Sequence, residues 1–167
     1  GYIPGGPAPF IADAMNIKVL LGLGEAIEQS TPYHVWKSIA QIIFNLDEHA
    51  SSAEQKLAFE KMIETDNGLM ERAPLLSAVL PFIIPDNENT KNIIGDARAN
   101  AMHQLIIERL ARTAGQFPTA LVIEDVHWLD SGSWALLSLA AQRVSPLLIV
   151  ITARPMSVAA PAEFTQI

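Results

Sequence analysis

The apolar residues change their period along the chain, and each change predicts an element. Ile17-Lys18-Val19-Leu20-Leu21 is a short apolar run that predicts a strand over residues 16–23. Gly22 and Gly24 close it, and residues without a Cβ let the backbone turn or approach another segment closely. Thr31-Pro32 predicts a helix start with Pro in the first turn. Val35, Trp36, Ile39, Ile42 and Ile43 then recur at helical spacing as its apolar face. Ser51-Ser52-Ala53-Glu54 has the form of a capping box, and Leu57, Phe59 and Met62 follow on the helix it starts. Residues 69–80 are a shorter apolar segment, interrupted by Pro74 and closed by Pro81, and 85–90 is a polar loop.

The second half is more regular. A long helix begins at Asp96 with the stripe Met102, Leu105, Ile106, Leu110 and Ala114, and Gly115 is its expected stop. Residues 119–123 read as a strand that runs into two acids, Glu124 and Asp125. Asp130 is placed to cap the next helix, which carries Trp134, Leu137 and Ala141. Residues 146–152 read as a last strand, ending at Arg154-Pro155. Both late strands are nearly continuous apolar runs. Such strands belong to parallel sheets covered by helices on both faces, so the expected class is α/β, with a right-handed strand–helix–strand unit over 119–152. Residues 1–16 form an irregular lead, with three Gly and three Pro in the first nine residues. Residues 17–156 form one α/β body, and 157–167 a tail.

Composition removes several function classes. With 50% hydrophobic and 17% charged residues the chain can build a core. A net charge of −7 without a basic run argues against a nucleic-acid partner. The chain has no cysteine, which excludes disulfides, thiolate metal sites and a Cys nucleophile. Apolar runs such as Leu147 to Ile151 fall far short of the roughly 20 residues of a membrane helix. No signal-peptide pattern is present, so the expected location is cytoplasmic, without a membrane partner. The opening Gly-Tyr-Ile-Pro, without Met, leads us to expect a fragment, a processed chain or an excised domain.

In open parallel sheets ligands bind beyond the carboxyl ends of the strands. Three strand ends here carry polar or glycine residues: Gly22, Gly24 and Glu25; Glu124 and Asp125; Thr152 and Arg154. If these strands are neighbours, two acids and a guanidinium converge on one edge. Acids there can hold Mg²⁺, usually through water, and orient an attacking water. The planar fork of Arg154 suits a phosphate.

The run from Leu121 to Asp130, Leu-Val-Ile-Glu-Asp-Val-His-Trp-Leu-Asp, resembles the Walker B segment of P-loop ATPases of the AAA and STAND type (signal-transduction ATPases with numerous domains). It is most similar to the module that follows the cyclase domains of soluble adenylyl cyclases and related multidomain regulators. Thr31-Pro32-Tyr33-His34-Val35-Trp36 resembles that family's Thr-Pro-Tyr-x-x-Trp segment. Ala73-Pro74-Leu75-Leu76 with Leu80-Pro81 resembles its linker helix, and Ile151-Thr152-Ala153-Arg154-Pro155 its sensor strand. The resemblance covers roughly residues 18–155 and implies a partial P-loop NTPase fold of three layers. It implies ATP and Mg²⁺ as cofactors and other domains of the parent chain as partners. Glu124 would bind Mg²⁺ through water, Asp125 would polarise the attacking water, and Arg154 would sense the γ-phosphate; either acid can take either role.

One departure stands out. A P-loop needs Gly-x-x-x-x-Gly-Lys-Ser/Thr, and none of the five lysines, Lys18, Lys37, Lys56, Lys61 and Lys91, has that setting. Either the chain begins after the P-loop, or residues 1–10 replace it. The alternative reading is a non-catalytic interaction or regulatory module that keeps the fold without nucleotide turnover. His127 is read as a loop-packing residue, since no second histidine stands at a metal spacing. Trp36 and Trp134 are read as core, and Asp130 as a helix cap.

Overall fold

A computed structural model describes residues 16–28 and 30–154. The expectations for the lead, for Pro155 and for the C-terminal tail lie outside the described residues. So does the question of whether residues 1–10 replace a phosphate loop.

Strand β1 is Lys18–Leu23, followed by a 3₁₀ turn at Ala26–Glu28. Helices α1 (His34–Ile43), α2 (Ser52–Ile63) and α3 (Asn67–Arg72) come next, with α3 leading into a 3₁₀ segment at Ala73–Ala78. The long helix α4 spans Gly95–Gln116 and feeds β2 (Thr119–Glu124). A 3₁₀ turn at Val126–Trp128 leads to α5 (Ser131–Arg143) and then to β3 (Leu148–Ile151). The strands form one sheet in the order β1-β2-β3. Both pairs are parallel: Leu20 stands opposite Leu121, and Leu121 opposite Ile149. The class is therefore α/β, with a parallel sheet flanked by helices, as expected; the cover expected on both faces is found on one among the described residues.

Several local expectations hold for the reasons given. The capping box is complete: the Ser51 side chain accepts from the Glu54 backbone, and the Glu54 carboxylate accepts from the Ser51 N–H. The α4 stripe of Met102, Leu105, Ile106, Leu110 and Ala114 is buried along its length. Other expectations are corrected. Helix α1 starts at His34 rather than at Pro32, because Tyr33 adopts a left-handed φ of 58° and breaks the helical run. Helix α4 passes through Gly115 and stops at Phe117, whose extended backbone is what the following Pro118 imposes. On α5, Trp134 and Leu137 are buried as expected, but Ala140 rather than Ala141 faces inward. Leu57 of α2 lies in solvent while Phe59 is fully buried.

The alternation of the strands separates two faces. Leu20, Gly22, Leu121 and Ile123 are buried against the helices, with Ile149 and Ile151 packed against the same core. A Cβ on Gly22 would lie 2.5 Å from Val35 Cγ1, which shows how closely α1 sits on β1. The opposite face carries Val19, Leu21, Leu23, Leu148 and Val150, all at least 40% exposed. Among the described residues, therefore, the helical cover lies on one face of the sheet.

Candidate functional site

The C-terminal ends of the three strands meet around Glu124 and Asp125. The central position of β2 is the cause, because the chains leaving β1 and β3 both flank its last residues. Gly24 N donates to the Glu124 carbonyl at 2.9 Å. On the other side Thr152 N donates to Ile123 O at 3.0 Å, and Val126 N donates to Thr152 O at 2.9 Å. A Cβ on Gly24 would stand 2.5 Å from the Asp125 carbonyl oxygen, so only glycine fits between the two strand ends.

Asp125 has φ 53° and ψ 45°, the left-handed region that a residue with a Cβ enters at a cost of about 1–2 kcal/mol. Its N–H donates to Thr152 Oγ1 at 3.2 Å. The strand-end hydrogen bonds on either side hold the turn in place and offset that cost. The conformation lifts the Asp125 carboxylate out of the strand pleat toward Arg154, whose Nε lies 3.9 Å from Oδ1. Arg154 is 73% exposed, so this ion pair contributes little to stability and leaves the guanidinium available. Glu124 ends the strand opposite Leu23, is half-buried, and makes no side-chain hydrogen bond or ion pair among the described residues.

His127 lies beneath this edge. It is 13% exposed, its Nδ1 stands 3.7 Å from Asp125 Oδ1, and its ring packs 4.8 Å from that of Trp128. Among the described residues neither ring nitrogen has a hydrogen-bond partner. It is a packing residue of the loop, as expected, with Nδ1 turned to the acid site.

The tail of the same loop is fixed by Asp130, which caps α5 through Ser133 N at 3.0 Å. The same carboxylate accepts from Ser133 Oγ and, across 97 residues of sequence, from Tyr33 N at 3.0 Å. Tyr33 Oη in turn meets His103 Nε2 at 2.9 Å, and Trp36 Nε1 donates to the Ser133 carbonyl at 3.2 Å. Burial, reinforced by the Asp130 charge, raises the Tyr33 phenol above its ordinary value. Burial lowers His103, with Asp130 opposing. No local pattern joins His103 to this group; its place beside Met102 on the buried stripe is the available signal. Tyr33 was legible only as part of the Thr-Pro-Tyr segment.

Of the candidate site residues, Asp125 and Arg154 are brought into contact, and Glu124 precedes Asp125 on the same strand end. Two adjacent carboxylates here fit a Mg²⁺ held largely through water and phosphate oxygens, which needs one or two protein carboxylates. Among the described residues no group of three or more His, Asp or Glu side chains forms a direct metal cage. The phosphate-loop motif Gly-x-x-x-x-Gly-Lys-Ser/Thr does not occur in the 167 residues.

A family model described as AAA ATPase domain matches residues 11–151, from ahead of β1 to the end of β3. The chain belongs to the AAA ATPase domain family. It is thus a module of the P-loop ATPase kind, and the parallel sheet flanked by helices is consistent with a partial P-loop NTPase fold. AAA ATPase domains bind nucleotide and generally use ATP and Mg²⁺. No curated protein and no solved structure matches the chain. Among the described residues of this AAA ATPase domain, no helix is long and apolar enough to cross a membrane.

Proposed function

We propose that this AAA ATPase domain carries the metal-and-water edge and the γ-phosphate sensor of an ATP-hydrolysing signalling module. The kind in view is the STAND type found in cyclase-like and regulator-like multidomain proteins, with 17–156 as its body. The observation that carries the reading is the left-handed Asp125 at the end of the central strand, held by Thr152 and facing Arg154 at 3.9 Å. Strain of this kind concentrates where a side chain must be aimed. In this reading Glu124 holds the metal through water, Asp125 orients and deprotonates the attacking water, and Arg154 contacts the γ-phosphate. Either acid can take either role. Bound Mg-ATP supplies the phosphoanhydride and the charge that neutralises it; the chain's residues position and polarise.

The absent phosphate-loop motif supports a second reading, a regulatory module that keeps the fold without turnover. Calorimetric titration separates binding from chemistry. The chain alone binds Mg-ATP with a dissociation constant weaker than millimolar; a micromolar constant overturns the claim that the phosphate cradle is missing. In a protein that supplies the phosphate loop, Asp125→Asn lowers kcat by 10²–10⁴ with ATP binding nearly unchanged. Arg154→Ala there narrows the preference for ATP over ADP. Unaltered turnover in Asp125→Asn takes the base role away from Asp125, and no turnover in the loop-supplied protein favours the regulatory reading.

A further inference from the structure

Three cations gather at the opposite end of the sheet. Lys18, the first residue of β1, and Arg109 and Arg112, on the last two turns of α4, line a cavity of about 160 Å³ together with Asn45, Thr113 and Gln116. The chain as a whole carries −7, so a local excess of positive charge needs a reason. Helix C-termini attract cations, and part of the arrangement answers to that: Arg109 Nε donates to Ile43 O, at the end of α1, at 2.8 Å. The rest does not. Arg109 Nη2 reaches a poor acceptor, Met62 Sδ at 3.7 Å, and its Nη1 has no hydrogen-bond partner among the described residues. Lys18 spends one donor on Asn45 Oδ1 at a long 3.4 Å. Arg112 uses Nη1 on Asp66 at 3.3 Å, leaving Nε and Nη2. Asp66 is the one carboxylate within ion-pair distance of the three among the described residues.

Arg109 is half-buried, packed over the Phe44 ring at 5.5 Å. Burial pushes its guanidinium down from the ordinary range, and the neighbouring Arg112 charge adds to this against a smaller opposing pull from Asp66. Like charges held together in this way repel, and an anion among them reverses the sign of the interaction. The size of the cavity limits what that anion is. Ligand pockets for drug-sized molecules run from about 300 Å³, whereas this one holds the volume of about five waters.

We propose that Lys18, Arg109 and Arg112 form a binding site for a small tetrahedral oxyanion of the phosphate class. The ammonium and the unused guanidinium edges donate to its oxygens, and the side-chain amides of Asn45 and Gln116 complete the set. The site is distinct from the acid edge, because the six residues of β1 separate them by about 20 Å. It needs no nucleotide and stands independently of the function proposed above.

The test is a titration of the full chain with inorganic phosphate, at constant ionic strength made up with chloride, followed by calorimetry and amide NMR shifts. Saturable binding that perturbs Lys18, Asn45 and residues 109–117 is the expected result. Lys18→Gln, which removes an ammonium whose contacts among the described residues are the long bond to Asn45 and the Phe117 ring at 5.9 Å, weakens it about tenfold, as loss of one charge-assisted bond does. Arg112→Gln does the same, while Asp125→Asn leaves it unchanged. Glycerol phosphate distinguishes the source: equal affinity marks a site for an esterified phosphate, and loss of affinity marks one for the free ion. Shifts that do not saturate, or that survive Lys18→Gln and Arg112→Gln with the fold intact, overturn the proposal.

Discussion

At Gly24 a single missing carbon decides whether two strand ends can meet. Gly24→Ala forces a Cβ to 2.5 Å from the Asp125 carbonyl, a backbone atom that cannot swing aside. The expected loss is about 1–3 kcal/mol, as for overpacking, read as a lowered urea midpoint. His103 makes a prediction of the opposite kind, in pH rather than volume. It is 4% exposed, and burial lowers its pKa in the folded state below the ordinary 6.5. The unfolded chain then binds the proton more readily, so this contribution is fully present above about pH 6.5 and is lost as pH falls below it. The denaturation midpoint of the wild type should fall between pH 7 and pH 5.5 by more than that of His103→Asn. Equal falls would show that the imidazole has no part in it.

At the scale of elements, α5 bridges the last two strands, and Trp134 is its anchor at 5% exposure. Trp134→Ala is expected to cost about 3–5 kcal/mol, and an unchanged chemical-denaturation midpoint would contradict the burial. The elements were legible where burial sets the pattern. The apolar runs of β1 and β2, the stripe of α4 and the Asp130 cap could all be read from spacing alone. Element ends were less legible, because distant or neighbouring residues decide them: Tyr33 turns left-handed while bonded to Asp130, and Pro118 rather than Gly115 ends α4. The candidate site divides in the same way. Glu124, Asp125 and Arg154 stand out as polar residues where apolar strands stop. The left-handed turn of Asp125 and the unpaired His127 nitrogens depend on β3 and on loop packing, neither of which leaves a local trace.

At the scale of the whole molecule, the described residues close the sheet on one face and leave the other apolar, with Leu148 at 61% and Leu21 at 47% exposure. Its order also interleaves distant parts of the chain: β1 pairs with β2 across α1 to α4, and α1 is held at its start by Asp130. That last hydrogen bond has a consequence in time. Its partners are 97 residues apart, so closing the loop costs entropy that nearer contacts do not, and the bond forms late. On a growing chain it must await synthesis of the second half. Interactions absent from the transition state govern unfolding rather than folding. Asp130→Ala should therefore leave the refolding limb of a chevron plot nearly in place. Its unfolding limb should rise by about tenfold, for a loss of roughly 1–2 kcal/mol in cap and clasp together. Asp130 thus sets how long the native fold persists once made.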